Sequence, residues 1–153
     1  MLQEKLSEMG LALPTLPAAA ASYVGFKVIG NQVVVSGQLP LLDGRPVLTG
    51  KLAAEADIGK AYVAAQHCAL NVLAQLNVAI GGDWSRFVQV VRLGGFVACT
   101  PSFIDAPKVV NGASDLMTRL FGDAGAHARA AVGVASLPLD VSVEIEATFE
   151  IRG

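Results

Sequence analysis

Over residues 141–152 the chain alternates without a break, with Val141, Val143, Ile145, Ala147, Phe149 and Ile151 on one side and Ser142, Glu144, Glu146, Thr148, Glu150 and Arg152 on the other. Successive side chains of a strand point to opposite faces, so this pattern predicts a long strand with one buried face. Just before it, Leu137-Pro138-Leu139-Asp140 reads as a turn. Pro138 has no amide hydrogen for a ladder and closes off an earlier strand over about residues 128–135. Two strands and a tight connection predict a hairpin.

The rest of the chain divides by the same reasoning. Leu2, Leu6 and Met9 recur at helical spacing and stop at Gly10, which predicts a short amphipathic helix; residues 11–17, with Pro14 and Pro17, then form an extended linker, and this opening either packs on a neighbouring site or, the simpler reading, covers apolar surface. Residues 23–29 and 32–38 are rich in β-branched side chains and flank Gly30-Asn31, predicting a hairpin with positive φ at Asn31. Asp43-Gly44 marks a turn within the loop 42–52. From Asp57 to about Ala79 the apolar residues fall three and four apart, the spacing of one helix face, and Gly81-Gly82 ends the run. Residues 86–98 return to strand character, with Gly94-Gly95 read as a bulge or bend. Asp105-Ala106-Pro107 starts a second helix that lasts to Gly122. The order hairpin, helix, strand, helix, hairpin predicts an α+β, ferredoxin-like fold, with one mixed sheet and both helices on one of its faces.

Composition adds an oligomer to this picture. Of the 153 residues 53% are hydrophobic and only 16% charged, which implies apolar surface covered by other subunits. The length fits a single domain, placed at residues 20–153 behind an N-terminal extension of residues 1–19. A net charge of −2 without any cluster of Lys or Arg argues against a nucleic-acid partner. Glu4 and Glu8 stand where a signal peptide is basic, and Pro14 and Pro17 interrupt its apolar part; a cytoplasmic protein is expected. Cys68 and Cys99 lack CxxC spacing and read as buried free thiols. His67 and His127 are far apart in sequence, so no metal is expected, and Gly94-Gly95 leads into no phosphate-binding motif. No cofactor of any kind is anticipated.

Arg129 is the chemically unusual residue of the C-terminal pair of strands. Alternation places it with Ala131, Gly133 and Ala135, so a planar cation that suits a carboxylate or phosphate sits beside very small neighbours. The plainer reading is an ion pair with Glu144 or Glu146 across the hairpin.

Two stretches then resemble a known family. Ala128-Arg129-Ala130, Val134-Ala135, Leu137-Pro138 and Val143-Glu144-Ile145-Glu146-Ala147 are similar to the C-terminal signature of the RidA/YjgF family of reactive imine and enamine deaminases, and residues 30–40, through Ser36-Gly37-Gln38, resemble its early strand. The resemblance implies a chorismate-mutase-like homotrimer with sites in the clefts between subunits. It implies that Arg129 binds the carboxylate of a 2-imino acid and Glu144 assists the attacking water. Tyr23, Asn111 and Ser36-Gly37 would line the cleft. Many family members carry a cysteine two residues after the arginine, where this chain has Ala131. The activity implied is hydrolysis of 2-imino acids to 2-keto acids and ammonia. A trimer that binds small carboxylates or a partner protein without turnover is the second reading, and an endoribonuclease or translation inhibitor the third.

Overall fold

In the computed structural model, which describes residues 2–16 and 22–153, the alternating C-terminal segment is the middle strand of a five-stranded sheet. This strand, β7 (Val143–Ile151), pairs antiparallel with β2 (Gln32–Gln38) on one side and with β5 (Phe87–Ala98) on the other. Outside β2 lies β1 (Phe26–Ile29), and outside β5 lies β6 (Ala128–Val134), the one parallel neighbour. The order is therefore β1-β2-β7-β5-β6. A separate two-residue ribbon joins β3 (Leu41–Leu42) to β4 (Arg45–Pro46) through Asp43 and Gly44, both at positive φ.

The anticipated C-terminal hairpin does not form, because β5 lies between β6 and β7. The reason is the crossover. The chain leaves β5, runs through α3 (Ala106–Phe121) and returns parallel to β5 as β6, so β7 can pair with β5 only along its other side. The intervening turn at Pro138–Asp140 places Leu139 and Asp140 at φ near 55° and 57°, an uncommon conformation for non-glycine residues, and the Asp140 carbonyl accepts from the Gly50 amide.

Both long helices, α2 (Ile58–Ala79) and α3, pack on one face of the sheet and against each other. Gly112 permits this approach, since a Cβ there would run into the Tyr62 carbonyl of α2. Every odd-numbered residue of β7 from Val143 to Ile151 is buried beneath the helices. Phe149 is at the centre of that layer and meets Phe87 edge-on at 6.4 Å. The short helix α1 (Leu2–Glu8) adds Leu2 and Leu6 to the same core, and Lys5 Nζ donates to the Leu120 carbonyl in the last turn of α3, where a cation suits the helix end. Leu11 and Leu13 of the following segment also pack on the core, as the linker reading anticipated; its last residue, Pro17, lies outside the described residues.

Two glycine readings are corrected. Positive φ in the β1–β2 turn falls on Gly30, and Asn31 serves instead through its side chain, which donates to Glu150 Oε1. Gly94-Gly95 forms no bulge: the register runs through both residues, and the irregularities of β5 lie between Phe87 and Gln89 and between Val90 and Arg92. Both are glycines because neighbours occupy their Cβ positions. Glu146 lies against Gly94 on the open face of the sheet, and Val110 of α3 lies against Gly95 on the helix face.

Candidate active site

Arg129 is the second residue of β6 and faces the helix side, opposite Leu93 in the parallel register. Its Nη1 donates to Asn111 Oδ1 at 2.7 Å and to Ser114 Oγ at 3.2 Å, both on α3. Asn111 and Ser114 stand three residues apart and so share one helix face. An arginine cannot accept, so the amide oxygen of Asn111 must be turned toward it. Both Nη1 protons are used, whereas the Nε–H and the Nη2 protons have no hydrogen-bond partner among the described residues. That free edge matches a carboxylate bound side-on through two parallel hydrogen bonds. The ion pair with Glu144 or Glu146 is absent, since both carboxylates lie on the other face of the sheet.

Glu144 projects from β7 onto this open face, beside Phe96 of β5. A Cβ at Gly37 would collide with its carboxylate, so glycine at the β2 bulge is what gives the side chain room. Burial, and then the negative charge of Glu146 two residues along, raises the Glu144 carboxyl above its ordinary value. Glu146 itself pairs with Arg92 at 3.1 Å. Ser36 spends its hydroxyl on the carbonyls of Val24 and Gly25, clasping the strand entrance that carries the largely exposed Tyr23.

The residues singled out in the sequence thus form two groups. Gly37 touches Glu144, with Ser36 and Tyr23 alongside, while Arg129 and Asn111 sit together at the far edge of the sheet. From β2 to β6 there are three strand spacings, about 14 Å. The two groups also face opposite sides of the sheet. Ser114 and His127, which complete the surroundings of Arg129, were not anticipated. The signal was present: Ser114 is one helical turn from Asn111, and His127 is two residues before Arg129, just ahead of β6.

Neither main cavity contains Arg129 or Glu144. One, of about 510 Å³, lies beyond the far end of β6 between Lys51, Cys99, Phe103 and Gly133. The other, about 740 Å³, is roofed by residues 10–16 over Leu41, His67, Leu70 and Asn71, and burial lowers the proton affinity of His67 there. Beside Arg129, Ala131 occupies the position where a thiol was noted as missing, and Cys99 reaches the same strand from β5's end: a Cβ on Gly133 would come within 2.7 Å of its sulfur. Among the described residues no group of three or more His, Cys, Asp or Glu is placed to hold a metal ion, and no helix is long and apolar enough to cross a membrane.

The mixed sheet with two main helices is the fold of a known family. The model of the YjgF/chorismate mutase-like endoribonuclease family matches residues 3–148. The chain belongs to this family. It is 44% identical to Protein TCP17 of Trypanosoma cruzi over 148 residues, 96% of this chain and 92% of the relative. The protein Atu1372, of unknown function, from Agrobacterium tumefaciens superposes with a TM-score of 0.92 at 45% identity, covering 99% and 94% of the two chains. Escherichia coli TdcF, solved with bound serine, gives 0.63 at 25% identity over 90% and 93%.

Proposed function

We propose that this YjgF-family chain hydrolyses reactive 2-imino and enamine acids, in a cleft completed by a second copy of the chain. The observation that carries the reading is the half-tethered guanidinium of Arg129, with Nη1 committed to α3 and its other edge free for a carboxylate. The serine bound to TdcF, a small molecule bearing a carboxylate, supports a ligand of that class. Because Arg129 and Glu144 face opposite sides of one sheet, a site that uses both takes Arg129 and Asn111 from one subunit and Glu144 with Ser36-Gly37 from the next. A trimer built on the open sheet face would cover Val34, Phe96 and Val132, which a lone chain leaves wholly or partly exposed.

The chemistry follows from these placements. Arg129 fixes the carboxylate and so aims the adjacent C=N carbon. Glu144, its proton affinity raised, takes a proton from water as the oxygen bonds to that carbon, and returns the proton to nitrogen. Collapse of the resulting carbinolamine breaks the C–N bond, releasing ammonia and leaving the 2-keto acid. Two buried thiols and no membrane-spanning helix among the described residues fit a reducing, cytoplasmic setting.

The test generates 2-iminobutanoate with an amino-acid oxidase and follows its decay. Wild-type protein accelerates it and Arg129→Ala abolishes the acceleration, by about a hundredfold or more for a lost charged clamp. Co-assembly of Arg129→Ala with Glu144→Gln restores intact sites at roughly a quarter of the interfaces of a random mixture, if two copies share each site. Failure of the mixture to regain any turnover overturns the shared site; 2-oxobutanoate binding without turnover supports a binding module instead.

A further inference from the structure

The tether of Arg129 extends two residues beyond its contacts. The His127 ring places Nδ1 2.6 Å from the Gly125 carbonyl and Nε2 2.9 Å from Ser114 Oγ. A carbonyl only accepts, so Nδ1 carries the proton, and in the neutral ring Nε2 is left as an acceptor. The Ser114 hydroxyl then donates to Nε2, and its oxygen accepts from Arg129 Nη1 at 3.2 Å. Hydrogen bonds run in one direction, guanidinium to hydroxyl to imidazole to carbonyl, and every donor has its acceptor. The far end is fixed by packing: Gly125 is buried, and a Cβ there would collide with the Met117 carbonyl of α3, so only glycine lets the turn sit so close.

We propose that Ser114 and His127 are positioning residues for Arg129, a relay that sets the affinity for substrate carboxylates without touching them. Arg129 is an exposed, long side chain with considerable rotamer freedom to lose on binding. Asn111 takes one Nη1 proton; one bond alone leaves the guanidinium free to pivot. The second bond, to Ser114, fixes its plane and presents the Nε and Nη2 edge, so the ordering cost is met before the ligand arrives. His127 matters because it holds the hydroxyl in the accepting orientation. The inference rests on the carboxylate-clamp reading above.

The experiment measures turnover of 2-iminobutanoate, and binding of 2-oxobutanoate by calorimetry, in wild type, Arg129→Ala, Ser114→Ala, Ser114→Thr, His127→Phe and the Ser114→Ala/His127→Phe pair. Ser114→Ala raises KM and the 2-oxobutanoate Kd about five- to tenfold with kcat within about twofold, the pattern of weakened uniform binding. Ser114→Thr, which keeps the hydroxyl, restores both constants. His127→Phe weakens binding about two- to threefold, and the pair is no worse than Ser114→Ala alone, because one chain of contacts is broken once. Nitrogen-15 spectra of the histidines at mildly alkaline pH show the Nδ1–H form for His127, independently of any fold loss in the variants. Wild type that binds 2-oxobutanoate, with Ser114→Ala binding it equally well, overturns the relay and leaves the clamp intact; additive losses in the pair, or an Nε2–H ring, overturn it as well. Wild type that does not bind 2-oxobutanoate overturns the clamp and the relay with it.

Discussion

Arg129 and Glu144 occupy the two faces of one sheet and are held in contrasting ways. The arginine is exposed, yet two neutral acceptors on α3 fix one side of its guanidinium. The glutamate is half-buried, and its oxygens lie in a space that Gly37 leaves open, close to a second carboxylate. A cation fixed at an accessible edge is organised to hold a charge, and a carboxyl whose ionised form is disfavoured is organised to exchange a proton. The same division separates the two sides of β7, where Val143, Ile145, Ala147, Phe149 and Ile151 face the helices and the alternate residues carry polar groups. On β7, then, one side fills the core and the other presents polar groups on the open face of the sheet.

The largest effect expected from breaking this comparison is on stability. Phe149→Ala removes a fully buried ring from the middle of the helix-side layer and costs about 3–5 kcal/mol by chemical denaturation. Its neighbour Thr148, on the open face, costs less than about 0.5 kcal/mol when changed to Ala in the monomeric fold. Equal losses at the two positions would mean that the open face is as tightly packed as the core.

Next is Glu144→Gln, with an expected fall in imine turnover of about a hundredfold. Its pH behaviour distinguishes this group from the arginine. The folded-state pKa is raised, so as pH falls through it the folded protein takes up a proton while the unfolded chain is still ionised, and stability rises until the unfolded value is passed. Activity moves the other way across the same window, because the base is lost as it protonates. In Glu144→Gln both the acid limb of kcat and this component of the stability profile vanish; survival of either one points to a different group.

Gly37→Ala comes third. The added methyl overlaps the Glu144 carboxylate and forces the flexible side chain aside, so kcat falls about tenfold, as expected for a displaced general base, with little loss of fold. A variant of wild-type activity would show that the glutamate has room elsewhere.

The face on which each residue stands was legible only after the strand order was known. Periodicity sufficed for the strands and helices, because a period of two or of three to four is a local property: α2, α3 and β5 begin and end within a residue or so of their sequence signals. Alternation also placed Arg129 with Ala131 and Gly133. It does not say which strand is the neighbour. Taking residues 128–135 and 141–152 as a hairpin made Arg129 and Glu144 appear to be cross-strand partners. β5 lies between them, a consequence of the α3 crossover, and the register Arg129–Leu93–Ala147 puts Arg129 on the helix face, away from Glu144. Gly94-Gly95 was misread for a similar reason. A glycine in a strand signals either a backbone irregularity or a crowded neighbour, and the side chains that crowd these two come from β7 and α3, distant in sequence.

The smallest expected effect concerns Arg92, which pairs with Glu146 while both side chains remain well exposed. Arg92→Gln costs under about 1 kcal/mol of stability, as most exposed ion pairs do. Its use is in the sign of a second change. Glu146 raises the proton affinity of Glu144, and Arg92 offsets part of that negative charge. Without Arg92 the field of Glu146 at Glu144 is stronger, so the acid limb of kcat moves to higher pH while its plateau is kept. Arg129→Ala, on the opposite face, leaves no limb to follow because the substrate is no longer held. A limb that stays in place or moves to lower pH in Arg92→Gln would mean that the titrating group does not feel the charge of Glu146, and would remove Glu144 from the role of base.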